Sequence, residues 1–251
     1  QTYTEAFSFT TGYESEPLFT IDDTERWRYA NTGQDLGTAW KEAGFDDSAW
    51  PLGAALLAAE SGATAEPIRT TLVRADGAGV DIITDYFRTR FTLDELPTGN
   101  RLLLRHVVDD GVVFYLNGVE VHRFGLAEGT PVDYQTLFTS HENAYEGPFL
   151  LTPDNLVVGE NVLAAELHQT TADSSDAVFG AELSVVTSQP SGGDVTLSIS
   201  LTGGSVVITW EGAGDVYSAP SPTGPWTMVD GATSPLTVTP DGDAQFYKVG
   251  N

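Results

Sequence analysis

Apolar and polar residues alternate with period two along most of this chain, in short runs such as Phe87–Phe91, Leu102–Val108 and Val112–Leu116. Period two predicts strands with one buried and one wetter face. Asn117-Gly118 separates Val112–Leu116 from a further run, Val119–Arg123. A type I′ turn needs positive φ at both central residues, which Asn and Gly tolerate best, so these two runs are predicted to pair as a tight hairpin.

The pattern breaks near residues 187–194. Thr187-Ser188-Gln189-Pro190-Ser191-Gly192-Gly193 is a polar Pro/Gly stretch of the kind that links domains. Beyond it, Val195–Leu201 and Ser205–Trp210 alternate around Gly203-Gly204, a second hairpin signal, and short runs follow at Asp215–Ser218, Trp226–Val229, Leu236–Val238 and Gln245–Val249. Strands this short and this many predict a small immunoglobulin- or fibronectin-like sandwich over residues 194–251, behind a linker at 188–193. At the other end, Tyr3, Phe7 and Phe9 share one face of an N-terminal strand or arm over residues 1–19. Two readings of that arm stand: it closes an edge of its own sandwich, or it adds to the sheet edge of a neighbouring subunit.

Composition narrows the class. A chain of 251 residues with 41% apolar residues fills either one large β domain or two smaller ones, and 26 Gly and 13 Pro suit strands joined by turns. No apolar run approaches the roughly 20 residues that span a bilayer, so no membrane insertion is expected. No basic-then-apolar leader is present, so an exported protein would begin near Gln1 after its leader is removed. The absence of Cys rules out disulfides, zinc–thiolate sites and cysteine nucleophiles. Acidic residues number 36 against 11 basic ones, for a net charge of −25, and the lysines are Lys41 and Lys248 alone. Phosphate backbones and anionic lipids would be repelled, so no nucleic-acid partner is expected. A salty or calcium-rich exterior, where charges are screened over about 8 Å, suits such a surface.

Five segments in order carry a resemblance: Trp27-Arg28-Tyr29, Phe45-Asp46-Asp47-Ser48-Ala49-Trp50, Tyr86-Phe87-Arg88, Asp109-Asp110-Gly111 with Tyr115–Gly118, and Gly159–His168. Over residues 20–187 the chain resembles the galactose-binding-like jelly roll attached to many secreted glycoside hydrolases. Ser221–Trp226, Gly231–Pro235 and Phe246–Val249 resemble a C-terminal module common in large exported bacterial proteins. The expected fold class is therefore all-β: a jelly-roll β-sandwich followed by a small immunoglobulin/fibronectin-like sandwich. The resemblance implies an extracellular or cell-surface protein and a sugar-binding, adhesive or spacer role, because one sandwich hosts all three.

Candidate chemistry is sparse. HExxH, G-x-S-x-G and nucleotide-binding glycine loops are absent, and no catalytic activity is expected. Among the histidines, His106 and His168 fall in alternating runs and read as structural, and His122 lies just past the hairpin. Asp46-Asp47-Ser48 reads as a turn cap that positions Trp50 in the core, where Trp210 is expected too. Asp109-Asp110 has two readings. Adjacent carboxylates supply hard oxygens to Ca²⁺, as a similar pair does in the lectin domains of fungal adhesins, or they fasten loop backbone through carboxylate–amide bonds. Near the chain ends of galactose-binding-like sandwiches a structural calcium is common, which makes Asp176 and Glu182 its candidates here. For sugar, the long connection Ala127–Gly147 is the candidate surface, with Tyr134, His141, Glu142, Asn143 and Tyr145. Two functions follow: a carbohydrate-binding or adhesion module for a polysaccharide or glycan, calcium-dependent if the acidic loops hold an ion, or a subunit that assembles with copies of itself into a filament or surface layer.

Overall fold

The computed structural model describes residues 14–22, 26–188, 196–202, 204–211, 215–221, 225–239 and 245–250. The expected N-terminal strand at Tyr3–Phe9 and most of the linker lie outside them. The chain divides into two compact units, one over Ser15–Thr187 and the other containing Ser188–Asn251.

The alternating runs become strands throughout. In the larger unit they are β1 (Glu14–Phe19), β2 (Trp27–Ala30), β3 (Leu52–Gly53), β4 (Leu57–Ala59), β5 (Thr70–Thr71) and β6 (Thr84–Leu93). They continue with β7 (Leu102–Asp109), β8 (Gly111–Leu116), β9 (Val119–Phe124), β10 (Ala144–Leu151), β11 (Gly159–His168) and β12 (Ala177–Ser188). Helical geometry among the described residues is confined to single 3₁₀ turns at Ala39–Lys41 and Thr98–Asn100. The strands form two six-stranded sheets: β10-β7-β12-β4-β5 with β1 also on β12, and β3-β2-β6-β11-β8-β9.

Apolar side chains from the two sheets fill one core between them. Leu57, Leu104, Phe179 and Leu183 come from the first sheet, and Trp27, Phe87, Phe114 and Leu163 from the second. Phe87 stacks on Phe179 with centroids 3.8 Å apart, and Trp27 meets the edge of Phe179 at 4.8 Å. Such ring pairs add about 0.5–1.5 kcal/mol each beyond the area they bury.

The second sheet departs from the one-wet-face expectation. Every residue of β8 is buried, and Tyr86, Val113, Tyr115 and Ala164 form a second cluster on the opposite face with Trp40 and Phe138. Leu36, Phe45 and Trp50 from the segment before β3, and Leu126, Val132 and Tyr134 from the connection after β9, cover that face. Period two survives in β8 only as two different packing partners, so alternation reported the strand but not the wetness of either face. Trp50 accordingly sits half-buried in this outer layer, whereas Trp27 and Trp40 are fully buried.

A salt-bridge cluster pins the outer layer. The Asp47 carboxylate receives Arg88 Nε at 2.7 Å and Arg90 Nη1 at 2.8 and 2.9 Å, and Arg88 also donates to the carbonyls of Trp40 and Glu42. Asp46 caps the turn as expected, accepting from the Ser48 amide at 3.0 Å.

The hairpin forms at the predicted residues. Asn117 and Gly118 have φ of 47° and 91°, and β8 pairs β9 from Leu116↔Val119 outward. Asn117 also reaches across the sheet, accepting from the Val162 amide and donating to Asn161 Oδ1 at 2.9 Å each. This turn is therefore held by β11 as well as by its own dihedrals.

Both sheets of the larger unit end on strands poorly suited to accept another strand. Strands β3 and β5 are two residues long, β10 carries Pro148 and a register shift between Glu146 and Phe149, and the β8–β9 ladder is bulged at Phe114/Tyr115. Short, bulged and proline-bearing edges discourage edge-to-edge pairing.

Among its described residues the smaller unit has six strands, β13 (Thr196–Thr202), β14 (Ser205–Glu211), β15 (Asp215–Ala219), β16 (Thr227–Met228), β17 (Leu236–Val238) and β18 (Phe246–Gly250). They form two three-stranded sheets, β13-β14-β17 and β16-β15-β18, around Ile208, Trp210 and Val216. The expected hairpin is β13–β14, in register from Thr196↔Glu211 to Thr202↔Ser205.

Candidate functional site

At one end of the larger unit, strand register gathers three carboxylates. Ala177 pairs with Ala59, and Val178 pairs with both Ala58 and Asp109. The next step along the β12–β4 ladder therefore sets Asp176 opposite Glu60, with Asp109 diagonal to them. Like charges opposed across strands are destabilising unless something lies between them. One carboxylate oxygen from each of Glu60, Asp109 and Asp176 lies within 4.8 Å of the others. Oxygens held about 2.4 Å from a Ca²⁺ ion are at most about 4.8 Å apart, so the three lie within the spacing that ligands of one hard cation can have.

Asp109 is the strongest member of the group. It is 3% exposed, and among the described residues no donor is bonded to its carboxylate. Burial, then the charges of Asp176, Asp110, Glu142 and Glu60, push its carboxyl up to about 7. Asp176 and Glu60 are half-buried; Asp176 accepts from Ser174 Oγ at 2.9 Å, and Glu60 from the Gly62 amide. A buried carboxylate with no donor, facing two others, is suited to a cation and ill-suited to standing alone.

The other candidates divide. Asp110 follows the loop-fastening reading: its oxygens accept from the amides of His141 at 3.1 Å and Thr170 at 2.7 Å. Glu182 stands apart on β12, ion-paired with Arg105 at 3.0 Å. Glu142 is exposed and lies close enough to Asp109 to raise its pKa. Asn143 accepts from the Ala65 amide at 3.1 Å, and Tyr145 donates to Glu66 at 2.9 Å with the Arg105 guanidinium over its ring. His141 is held between the Val108 carbonyl and Glu146, each 3.1 Å away. Tyr134 is elsewhere, packed into the outer layer. The five residues expected to bind sugar thus do not make one platform: Asn143 and Tyr145 tie the 60–69 and 139–146 segments together, His141 is fastened to β7 and Glu146, and Glu142 is left facing the acidic group.

Glu60 is the member that sequence reasoning missed. Its signal is a carboxylate leaving a strand into a glycine turn, Glu60-Ser61-Gly62, which gains meaning only once β4 is known to lie beside β12.

The remaining histidines pack against aromatic rings. His168 stacks on Phe138 with centroids 4.5 Å apart, and its Nδ1 donates to the Thr136 carbonyl at 2.9 Å. His106 is fully buried, with Nε2 3.4 Å from Nε2 of His122. Burial lowers these two rings to about 3 and about 4.

The chain is thus an all-β sandwich protein with a cation-suited acidic end. No family model matches it, and no curated protein does. Among solved structures it is similar to a β-glucuronidase from an uncultured Clostridium sp. at 13% identity and a TM-score of 0.45, covering 98% of this chain and 44% of that one. It is also similar to Bacteroides uniformis β-glucuronidase at 13% and 0.43, covering 95% and 28%. A third is Ruminococcus gnavus β-glucuronidase in complex with D-glucuronic acid, at 10% and 0.43, covering 94% and 42%. The chain spans less than half the length of each. No helix among the described residues is long and apolar enough to cross a membrane.

Proposed function

We propose that this chain is a non-catalytic extracellular module that binds calcium at Glu60, Asp109 and Asp176 and engages a glycan through the bound ion. The observation that carries the reading is the buried Asp109 carboxylate, without a donor among the described residues and facing two further carboxylates. Calcium takes six to eight oxygens, roughly, and three carboxylates supply between three and six of them. Glu60 and Asp176 are half-buried, so the remaining positions face solvent, where vicinal sugar hydroxyls can replace water. The ordered sequence motifs shared with secreted accessory sandwiches support a glycan as the partner. The blunted sheet edges of the larger unit favour binding over polymerisation through strand addition there.

A glycan array probed in CaCl₂ and in chelator tests the reading. Binding of a defined glycan in calcium alone is expected. Binding that persists in chelator would remove the ion from the interface, and no binding in either condition would remove the glycan.

A further inference from the structure

The adjacent residues Asp109 and Asp110 have divided roles. Asp109 faces Glu60 and Asp176, while Asp110 turns to backbone. The two amides that Asp110 receives belong to the two long connections at this end of the sandwich. His141 closes the connection from β9 to β10, and Thr170 opens the connection from β11 to β12. The first connection places Glu142 directly after the anchored amide, and the second places Asp176 six residues past its own. Both also bond to each other's neighbourhood, since the Phe138 amide donates to the Gln169 carbonyl at 3.0 Å.

We infer that Asp110 is a positioning residue that couples occupancy of the Glu60–Asp109–Asp176 group to the order of both connections. The inference rests on the calcium reading above. Without a cation, the carboxylates of Asp109, Asp176 and Glu142 repel one another, and the load falls on the backbone beside them. With a cation, the repulsion becomes attraction to a common centre. Asp110 is one residue from Asp109, so it transmits that change to His141 and Thr170 through two charge-assisted hydrogen bonds. The connection from β9 to β10 carries the exposed Glu142 beside this group, so calcium would set the shape of the face a partner meets. Stability need not be uniform over a sandwich, and loops joined to it by few bonds open first.

Hydrogen–deuterium exchange on the intact chain, in CaCl₂ and in chelator, tests the coupling. Calcium is expected to slow exchange in residues 136–143 and 169–176 together, by about tenfold or more, while central β11 is unchanged. Asp110→Asn should keep the calcium heat in titration calorimetry but lose most of the slowing in residues 136–143. Calcium binding with unchanged exchange in both connections would overturn the coupling and leave the calcium reading standing. Full slowing in Asp110→Asn would overturn the role of Asp110. No calcium heat in the wild-type protein would remove the reading beneath it.

Discussion

Removing the Asp47 carboxylate should unseat the outer layer of the second sheet. Arg88 has no solvent exposure and Asp47 is 4% exposed, so their 2.7 Å contact replaces hydration that neither group can recover in the folded state. Arg90 adds a second cation whose Nη1 bonds both Asp47 oxygens. These two arginines overcome the burial that would raise Asp47 and hold its carboxyl below the usual range. Asp47→Ala leaves the Arg88 charge without a carboxylate, held by the carbonyls of Trp40 and Glu42 and the face of Phe45. Stranding a buried charge in this way costs about 3–5 kcal/mol. For a domain of this size, that corresponds to a fall of about 6–20 °C in melting temperature. Urea denaturation followed by tryptophan fluorescence reads the loss directly, since Trp40 and Trp50 lie in the affected layer. Arg88→Met should cost less than Asp47→Ala, because the Asp47 carboxylate it leaves behind keeps its bonds to Arg90. The double variant should be more stable than the sum of the single losses predicts. A cost for Asp47→Ala below about 1 kcal/mol, the range of an exposed pair, would refute the reasoning.

Gly118→Val should destabilise the larger unit by about 1 kcal/mol or more, because a β-branched residue resists positive φ. Its Cβ would also approach Glu42 Oε2 at 2.5 Å. An unchanged urea midpoint would show that the turn tolerates negative φ. Acid should act on the histidine pair: His106 and His122, lowered by burial to about 3 and about 4, take up protons mainly when the chain unfolds. Their stabilisation is complete above the unfolded value near 6.5 and is lost as pH falls toward the folded values, by about 1.4 kcal/mol per pH unit for each ring. Asp85 and Asp109, raised by burial to about 6 and about 7, pull the other way, so the comparison is between variants. His122→Gln should flatten the fall in stability between about pH 6.5 and 4 relative to wild type; parallel pH profiles would show that His122 protonates equally well when folded.

The strands were legible because each reports its own backbone: Asn117-Gly118 needs no distant partner to announce a turn, and β13 and β14 alternate on their own. Burial was less legible, because Val113 and Tyr115 are covered by segments that carry no strand pattern. The site was half legible. Asp109 and Asp176 stood out as carboxylates in loops, but Glu60 joins them only through the register of β4 against β12. Glu182 has the same chemistry as Asp176 and lies on the same strand path, yet Arg105 across the ladder neutralises it. Residue type locates possible ligands, and strand pairing decides which of them meet.

The most direct measurement is the thermal stability of the wild type and of Asp109→Asn, each in chelator, in CaCl₂ and in NaCl of matched ionic strength. In chelator, Asp109→Asn should melt higher than wild type, because it removes one of three crowded like charges at nearly constant shape. Calcium should reverse the order. A site that binds only the folded chain adds about 2.7 kcal/mol at a hundredfold excess over Kd, and the variant forfeits that gain. Crossed curves are the predicted result. Equal responses to CaCl₂ and matched NaCl, with Asp109→Asn parallel to wild type, would contradict a cation site at Glu60, Asp109 and Asp176.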